Sequence, residues 1–197
     1  MISENNGSKP NDFNKIAIIS DSHDNEVNIK KALDYINKKH IKILIHCGDI
    51  TSPGTLDETI ISNFIGEIHI VFGNTDDAEA LVETVKNLLS GRKNVKVHGD
   101  RGEININGKN IGFCHYPDEA KKLALTNQFD IVFYGHTHKP WLDKLKVESK
   151  KLKVTRVGSR EMLLVNPGTL AGLFNKATFA IYDTFSGKLE LKILERL

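Results

Sequence analysis

Five short apolar runs recur along the chain, each about as long as a β-strand. They are Lys15–Ser20, Lys42–Cys47, Glu67–Phe72, Asn110–Cys114 and Asp130–Tyr134. Each run is rich in Ile, Val or Phe, as strands that are buried on both faces usually are. The pattern therefore predicts five buried strands.

The segments that follow the first four runs have the length and mixed polarity of helices. They are Glu26–His40, Pro53–Phe64, Asp77–Leu89 and Pro117–Gln128. In the first of them the apolar residues recur at an approximately helical spacing. Ser52 before Pro53 is typical of an N-cap and first turn. Strands that alternate with helices of this length indicate βαβ units and an α/β fold.

The pattern changes in the last third of the chain, where strands follow one another with turns between them. Asn107-Gly108, between Glu103–Ile106 and Asn110–Cys114, is typical of a tight hairpin. After Trp141, strands are predicted at Lys144–Ser149, Lys151–Val157, Glu161–Val165, Thr178–Asp183 and Lys188–Leu194. A parallel half followed by an antiparallel half predicts two sheets that face each other within one domain, with helices outside.

Composition narrows the class of protein without pointing to a partner. The length of 197 residues favours one domain, and 40% hydrophobic with 26% charged residues excludes disorder and a membrane span. Residues 1–14 are expected to be a disordered leader and 15–197 the folded domain. The leader lacks an export signal, which predicts a cytoplasmic protein. The net charge of +2 favours neither nucleic acid nor membrane, and Cys47 and Cys114 alone provide no disulfide scaffold or CxxC zinc site.

Side chains that can bind a metal ion follow the end of each of the five apolar runs. They are Asp21, His23, Asp49, Asn74, His115, His136 and His138. Because ligands of open α/β sheets bind beyond the carboxyl ends of the strands, we expect these side chains to meet at one point. Oxygen and imidazole donors without a thiolate suit Mn, Fe or Zn. Taken singly, each Asp could be a cap and each His a loop residue; the ordered set favours ligands.

The same residues form motifs that are similar to those of a known family. Asp21-x-His23, Gly48-Asp49, Gly73-Asn74, His115 and Gly135-His136-Thr137-His138 resemble, in this order, the calcineurin-like metallophosphoesterase family. GHTHKP at 135–140 and NPGT at 166–169 resemble its small, single-domain bacterial and archaeal phosphodiesterase branch. The resemblance covers about Lys15 to Leu194. It implies an α/β (α+β) fold, a four-layer αββα sandwich of two mixed β-sheets flanked by helices.

The resemblance also implies two adjacent divalent metal ions, with Mn²⁺ favoured and Ni²⁺, Fe, Zn²⁺ or Co²⁺ as alternatives. The first ion would be held by Asp21, His23, Asp49 and His138, and the second by Asp49, Asn74, His115 and His136. Asp49 would bridge the ions, and a bridging hydroxide would attack phosphorus, with Asp49, Asn74 and His115 as the catalytic residues. Two ions, two carboxylates and a hydroxide sum to +1, a charge that a phosphodiester monoanion neutralises.

Two positions depart from the family pattern. Thr75 stands where many larger relatives have a His that helps to protonate the leaving group, so we expect a preference for good leaving groups. Tyr116 stands where the family usually has Gly, and we expect it to narrow the cleft or to offer its phenol to the substrate. His46, inside the second run, is expected to be a buried histidine or a partner of a ligand.

A second function stays open at this point. A eukaryotic trafficking-coat subunit resembles the same branch but serves mainly as a protein-binding scaffold with a compromised metal site, whereas all seven donor positions are filled here, which favours an enzyme. The expected partner is a small phosphate ester; membrane and nucleic acid are not indicated, and a homo-oligomer is an open alternative. The basic stretch Lys139–Arg160, of net charge +6, is a solvated hairpin surface or a phosphate-binding patch.

Overall fold

The computed structural model describes residues 14–88, 94–147 and 160–197. Its first sheet has six strands in the spatial order β11-β10-β1-β2-β3-β4. These strands are β1 (Lys15–Ile19), β2 (Ile43–His46), β3 (Glu67–Ile70), β4 (Val95–Val97), β10 (Thr178–Asp183) and β11 (Leu189–Ile193). The first four are parallel, β10 lies antiparallel beside β1, and β11 lies antiparallel beside β10. The carboxyl ends of β1, β2 and β3 therefore lie at one edge.

The second sheet has five strands in the order β5-β6-β7-β9-β8. They are β5 (Arg101–Ile106), β6 (Lys109–Cys114), β7 (Ile131–Phe133), β8 (Trp141–Val147) and β9 (Arg160–Asn166). Strands β6, β7 and β9 are parallel, and β5 and β8 are antiparallel at the two edges. Both sheets are therefore mixed.

Helices cover the outer faces of both sheets. They are α1 (Glu26–Lys38), α2 (Ala78–Leu88), α3 (Pro117–Leu125), a π-helix (Thr55–Ile61) and a terminal 3₁₀ turn (Leu194–Arg196). The Asn25 side chain caps α1 by accepting a hydrogen bond from Asn28 N. Pro117 occupies the first turn of α3, where its missing N–H costs nothing. Among the described residues, no helix combines the length and the apolar character needed to cross a bilayer.

Alternating side chains of the strands divide the core into layers. Ile16 and Ile18 of β1 pack between the sheets with Phe113 and Phe133 of the second sheet. Ala17 and its neighbours on the opposite face of the first sheet pack beneath α1, α2 and the π-helix. A separate cluster lies beneath α3 on the outer face of the second sheet. The period-2 alternation of the strands thus produces helix, sheet, sheet and helix layers.

The predicted fold class is confirmed, and the differences from the sequence-based prediction are local. Strand β4 was not predicted, because it is only three residues long and its central Lys96 is exposed. The strand predicted at Lys144–Ser149 begins earlier, at Trp141, and the one predicted at Lys151–Val157 lies outside the described residues. The predicted leader also lies outside them except for Asn14, whose carbonyl accepts hydrogen bonds from the backbone N–H and hydroxyl of Thr184.

Candidate metal centre

The seven candidate ligands lie where the parallel strands of both sheets end. Those after β1, β2 and β3 come from the first sheet, and those after β6 and β7 come from the second. From the first sheet they are Asp21, His23, Asp49 and Asn74; from the second they are His115, His136 and His138. The structure therefore brings together, across the junction of the two sheets, all seven side chains that the sequence singled out.

One group of four consists of Asp21, His23, Asp49 and His138. One ligand atom from each lies within 4.8 Å of the others. His23 Nε2 lies 3.1 Å from His138 Nε2 and 3.6 Å from Asp49 Oδ2. His138 Nε2 lies 3.3 Å from Asp21 Oδ1. Two imidazoles and two carboxylates that converge in this way form a set of hard and borderline donors suitable for a divalent transition metal.

A second group forms around Asn74. Its side-chain oxygen lies 3.1 Å from His115 Nε2 and 2.9 Å from His136 Nδ1. His115 Nε2 lies 3.5 Å from Asp49 Oδ2. The other ring nitrogen of His115, Nδ1, lies 2.8 Å from the carbonyl of Cys47, to which it donates when Nε2 is the unprotonated nitrogen. That tautomer leaves Nε2 free to bind a cation.

Asp49 belongs to both groups. Its Oδ2 is the atom near His23 and near His115, whereas its Oδ1 accepts a hydrogen bond of 2.9 Å from Thr75 N. The residue is 1% exposed, so its carboxylate is fixed and shielded from water. This geometry allows one carboxylate to serve two neighbouring cations.

The backbone at the site is strained. Five candidate ligands, none of them glycine, have φ angles between 41° and 70°. They are Asp21, His23, Asp49, His136 and His138. Such left-handed conformations cost about 1–3 kcal/mol each and persist where the surrounding structure enforces them, often at functional sites. Here they occur in the loops that follow β1, β2 and β7, from which these side chains reach the site.

Two glycines permit the close approach of the loops. A Cβ on Gly73 would overlap the carboxylate and backbone N of Asp49. A Cβ on Gly135 would overlap the Ser20 hydroxyl and lie 2.8 Å from Asp21 Oδ2. Gly73, before Asn74, and Gly135, before His136, are thus required because their backbone packs against the carboxylates.

Burial dominates the electrostatics of the site. It raises the pKa of Asp21 from 3.8 to about 7, and the Asp49 carboxylate adds to this rise, while the Ser20 hydroxyl and the His136 N–H oppose it. Burial also lowers the pKa of His115, as it does that of His138. This favours, for His115 and His138, the neutral form of the imidazole that binds metals.

The carboxylates also lack a cationic protein partner. Within 14–88, 94–147 and 160–197, neither Asp21 nor Asp49 forms an ion pair with a Lys or Arg. Buried charges in proteins are normally paired or coordinate metals. A divalent cation would supply the missing partner, so the donor set fits the metal ions that the motifs imply.

Asp76 is a supporting residue that the sequence analysis missed. Its Oδ2 accepts hydrogen bonds from Asp49 N at 2.9 Å and from Gly73 N at 2.8 Å. Its Oδ1 accepts one from Thr51 N at 2.7 Å. One carboxylate therefore ties the loops after β2 and β3 together. Its position two residues after Asn74 was the available signal.

Polar residues behind the site support the remaining loops. The Asn166 side chain donates to Gly135 O at 2.8 Å and to Thr137 Oγ1 at 3.0 Å, and Thr169 Oγ1 donates to Asp21 O at 2.7 Å. His46 is buried, as expected, with Nε2 3.0 Å from Ser22 Oγ. Burial lowers the pKa of His46 to about 4. These contacts hold the backbone from which the candidate ligands project.

Comparisons with known proteins agree with the motifs. A family model described as the calcineurin-like phosphoesterase superfamily domain matches residues 15–187. A Methanocaldococcus jannaschii protein named a phosphodiesterase is 28% identical over 184 residues, which cover 92% of this chain and 99% of the relative. A probable metallophosphoesterase of Methanothermobacter thermautotrophicus is 26% identical, over 78% of this chain and 76% of the relative.

Solved structures give the same result. That of an archaeal phosphodiesterase superposes with a TM-score of 0.70 at 27% identity, covering 91% of this chain and 99% of the other. A phosphoesterase from E. coli superposes with a TM-score of 0.53 at 15% identity, covering 91% and 99%, a likeness of fold alone.

Proposed function

The chain belongs to the calcineurin-like phosphoesterase superfamily, and from that premise we propose that it is a phosphodiesterase that works with two divalent metal ions. The resemblance in the motifs is thus confirmed, and the chain is a phosphoric ester hydrolase. We propose in addition the number of ions, their ligands and the class of ester.

The observation that carries the proposal is the position of Asp49 Oδ2, 3.6 Å from His23 Nε2 and 3.5 Å from His115 Nε2. We assign one ion to Asp21, His23, Asp49 and His138, and the other to Asp49, Asn74, His115 and His136. Two such ions, when bound, supply hydroxide near neutral pH and neutralise charge on the phosphoryl oxygens. The neutral amide of Asn74 adds a ligand without adding negative charge, which helps an anionic ester to approach.

The charge balance favours a diester over a monoester. With Asp21 and Asp49 ionised, two divalent ions and a hydroxide leave +1, which the single charge of a phosphodiester neutralises. Among the metals that suit imidazole, amide and carboxylate donors, Mn²⁺ is our first choice. Because a metal-activated hydroxide would be the attacking group, no protein nucleophile is required.

Thr75 limits the help that the protein gives to the leaving group. Its hydroxyl lies 3.1 Å from the Thr51 hydroxyl and is a far weaker acid than an imidazolium. Proton transfer by a well-placed acid typically contributes about 10²–10⁴-fold. The enzyme is therefore proposed to prefer esters whose leaving groups need no proton, such as aryl esters.

The test is hydrolysis of bis(4-nitrophenyl) phosphate with added Mn²⁺, compared with the same assay in chelator. We expect Mn²⁺-dependent turnover and, at 100 times the Kd, stabilisation of the folded chain by about 2.7 kcal/mol. Asp49→Ala is expected to lose both, because it removes the shared ligand. Asp34→Ala, a change of an exposed carboxylate on α1, is the matched control and is expected to retain both.

Two outcomes would contradict the proposal. Full turnover in Asp49→Ala would exclude the ligand assignment. A metal-loaded chain inert towards diesters, monoesters and cyclic nucleotides would favour a protein-binding scaffold of the same fold instead.

A further inference from the structure

A cleft of about 520 Å³ opens beside the proposed second ion. It is lined by Phe72, Asp100, Arg101, Tyr116 and Glu119. Phe72 lies two residues before Asn74, and Tyr116 directly follows His115. The cleft therefore borders the same strand ends that carry the candidate ligands.

The walls of the cleft are fixed by backbone pairing. Phe72 N donates to Gly99 O at 2.9 Å, which holds the turn after β4 against the end of β3. Arg101 at the start of β5 pairs with Cys114 at the end of β6. The cleft is thus bounded by ordered strand ends, as pre-formed ligand sites usually are.

The Tyr116 ring joins the cleft to the metal centre. Its centroid lies 4.9 Å from that of His115 and 5.1 Å from that of His136, both in edge-to-face geometry. The side chain is 42% exposed and makes no capping hydrogen bond to α3, although Tyr116 is the N-cap residue. The helix does not need this ring, which leaves one side of it available to a ligand.

The charges in the cleft argue against a second phosphate as its occupant. The lining residues Arg101, Asp100 and Glu119 sum to −1, and Lys122, which pairs with Glu119 at 2.5 Å, brings the sum only to zero, so the cleft has no excess positive charge for a phosphate. A cleft lined by a guanidinium group and two aromatic rings can instead bind a flat aromatic group by stacking and cation–π attraction. The carboxylates can accept hydrogen bonds at the edge of such a ring.

We infer that this cleft binds a flat aromatic ring, an aryl group or a nucleobase, that is attached to the phosphoryl group of the substrate. Tyr116 is the residue that determines this specificity. The inference rests on the proposed function for the position of the phosphoryl group, which the metal centre would hold while the ring enters the cleft.

The test measures binding, so it does not depend on turnover. The Mn²⁺-loaded chain is titrated calorimetrically with methyl phosphate, phenyl phosphate and thymidine 5′-monophosphate. We expect at least one of the two ring-bearing phosphates to bind roughly 10-fold more tightly than methyl phosphate, as stacking of a base on an aromatic side chain allows. A gain for phenyl phosphate alone identifies an aryl ring as the occupant, and a gain for the nucleotide alone identifies a nucleobase.

Three variants locate the effect. The gain is measured within each variant, as the ratio of its affinities for the ring-bearing phosphate and for methyl phosphate. Tyr116→Ala is expected to abolish this gain, whereas Tyr116→Phe, which keeps the ring, is expected to retain it. Phe185→Ala removes another exposed aromatic ring, in the β10–β11 turn at the opposite edge of the first sheet, and is expected to change nothing.

Equal affinity for all three phosphates in the wild-type chain would overturn the inference, and so would a gain that survives in Tyr116→Ala. Failure of the proposed function gives a different result: no Mn²⁺-dependent hydrolysis and no binding of methyl phosphate itself.

Discussion

The two edges of the sheets differ in which residues adopt left-handed backbone conformations. At the carboxyl-end edge, left-handed conformations fall mainly on Asp and His residues whose carboxylates and imidazoles face one another, with Gly48 and Thr51 beside them. At the opposite edge they fall mainly on turn residues suited to them, Asn107-Gly108, Asn127 and Gly187, with His40 before β2 as an exception. Asn107 also donates from Nδ2 to Thr184 Oγ1 at 2.9 Å, so its polar group is satisfied. One edge holds strain and unpaired charge, and the other holds well-formed turns, which locates the function without reference to relatives.

The largest difference in activity is expected between two alanine substitutions, one at a glycine of each edge. Gly73→Ala places a methyl group against the Asp49 carboxylate and is expected to reduce diester hydrolysis by more than about 100-fold, because small misplacements of reacting groups have effects of that size. Gly187→Ala has free space but a φ of 73°, so it is expected to reduce the free energy of unfolding by about 1–2 kcal/mol without changing activity.

Steady-state kinetics and urea unfolding of both variants check this prediction. Equal activity in the two variants would show that the close approach of Gly73 to Asp49 is not needed for catalysis.

A smaller, pH-dependent effect is expected from the buried carboxyl of Asp21. Because its folded pKa of about 7 lies above 3.8, the folded state binds more protons than the unfolded state between these values. The contribution of Asp21 to stability is therefore present below about pH 4 and is lost as the pH rises to about 7. In chelator, the wild-type chain is expected to lose on the order of 2–4 kcal/mol relative to Asp21→Asn across this range.

Urea unfolding of both chains at several pH values measures this difference. The comparison with Asp21→Asn is needed because buried histidines have the opposite effect on the free energy of unfolding. Burial lowers the pKa of His46, so its contribution to stability increases as the pH rises. A difference that does not change with pH would contradict the assignment to Asp21.

The smallest effect is expected in the turns of the opposite edge. Asn107→Ala removes the side-chain hydrogen bond to Thr184 and puts Ala at a left-handed φ of 52°, which Asn tolerates better than most residues with a Cβ, so it should reduce stability by about 1–2 kcal/mol. Diester hydrolysis should stay at the wild-type rate. Thermal unfolding and the diester assay check both statements, and a large loss of activity would mean that the two edges are coupled.

Much of this fold could be predicted because two features of the sequence agree with it: the apolar runs and the polar residues that follow them. Apolar strand-length runs locate β1, β2, β3, β6 and β7, and polar residues after those runs mark the edge where the candidate ligands meet. Strand β4 could not be found, since three residues with an exposed Lys96 carry no pattern. The order of the strands within each sheet could not be predicted from the sequence either, because it depends on packing between distant segments.

Within the site, the sequence identified candidate ligands but not the groups that hold them. Asp76 was missed because its role consists of accepting backbone N–H groups, which any acidic turn residue could do. Tyr116 was noticed as a departure from the family pattern, but the cleft beside it depends on the turn after β4, which was not predicted. The ligand roles themselves stay predictions until the metal experiments are done.

The distribution of the seven side chains over both sheets has a consequence for how the protein is made. Neither sheet alone offers a full set of donors, since His115, His136 and His138 come from the second sheet and the other four from the first. The first sheet also needs β10, which follows all seven candidate ligands in the sequence, as the neighbour of β1. A chain that has not yet been synthesised as far as β10 would therefore have no finished site, and metal uptake would report that both sheets have formed and docked.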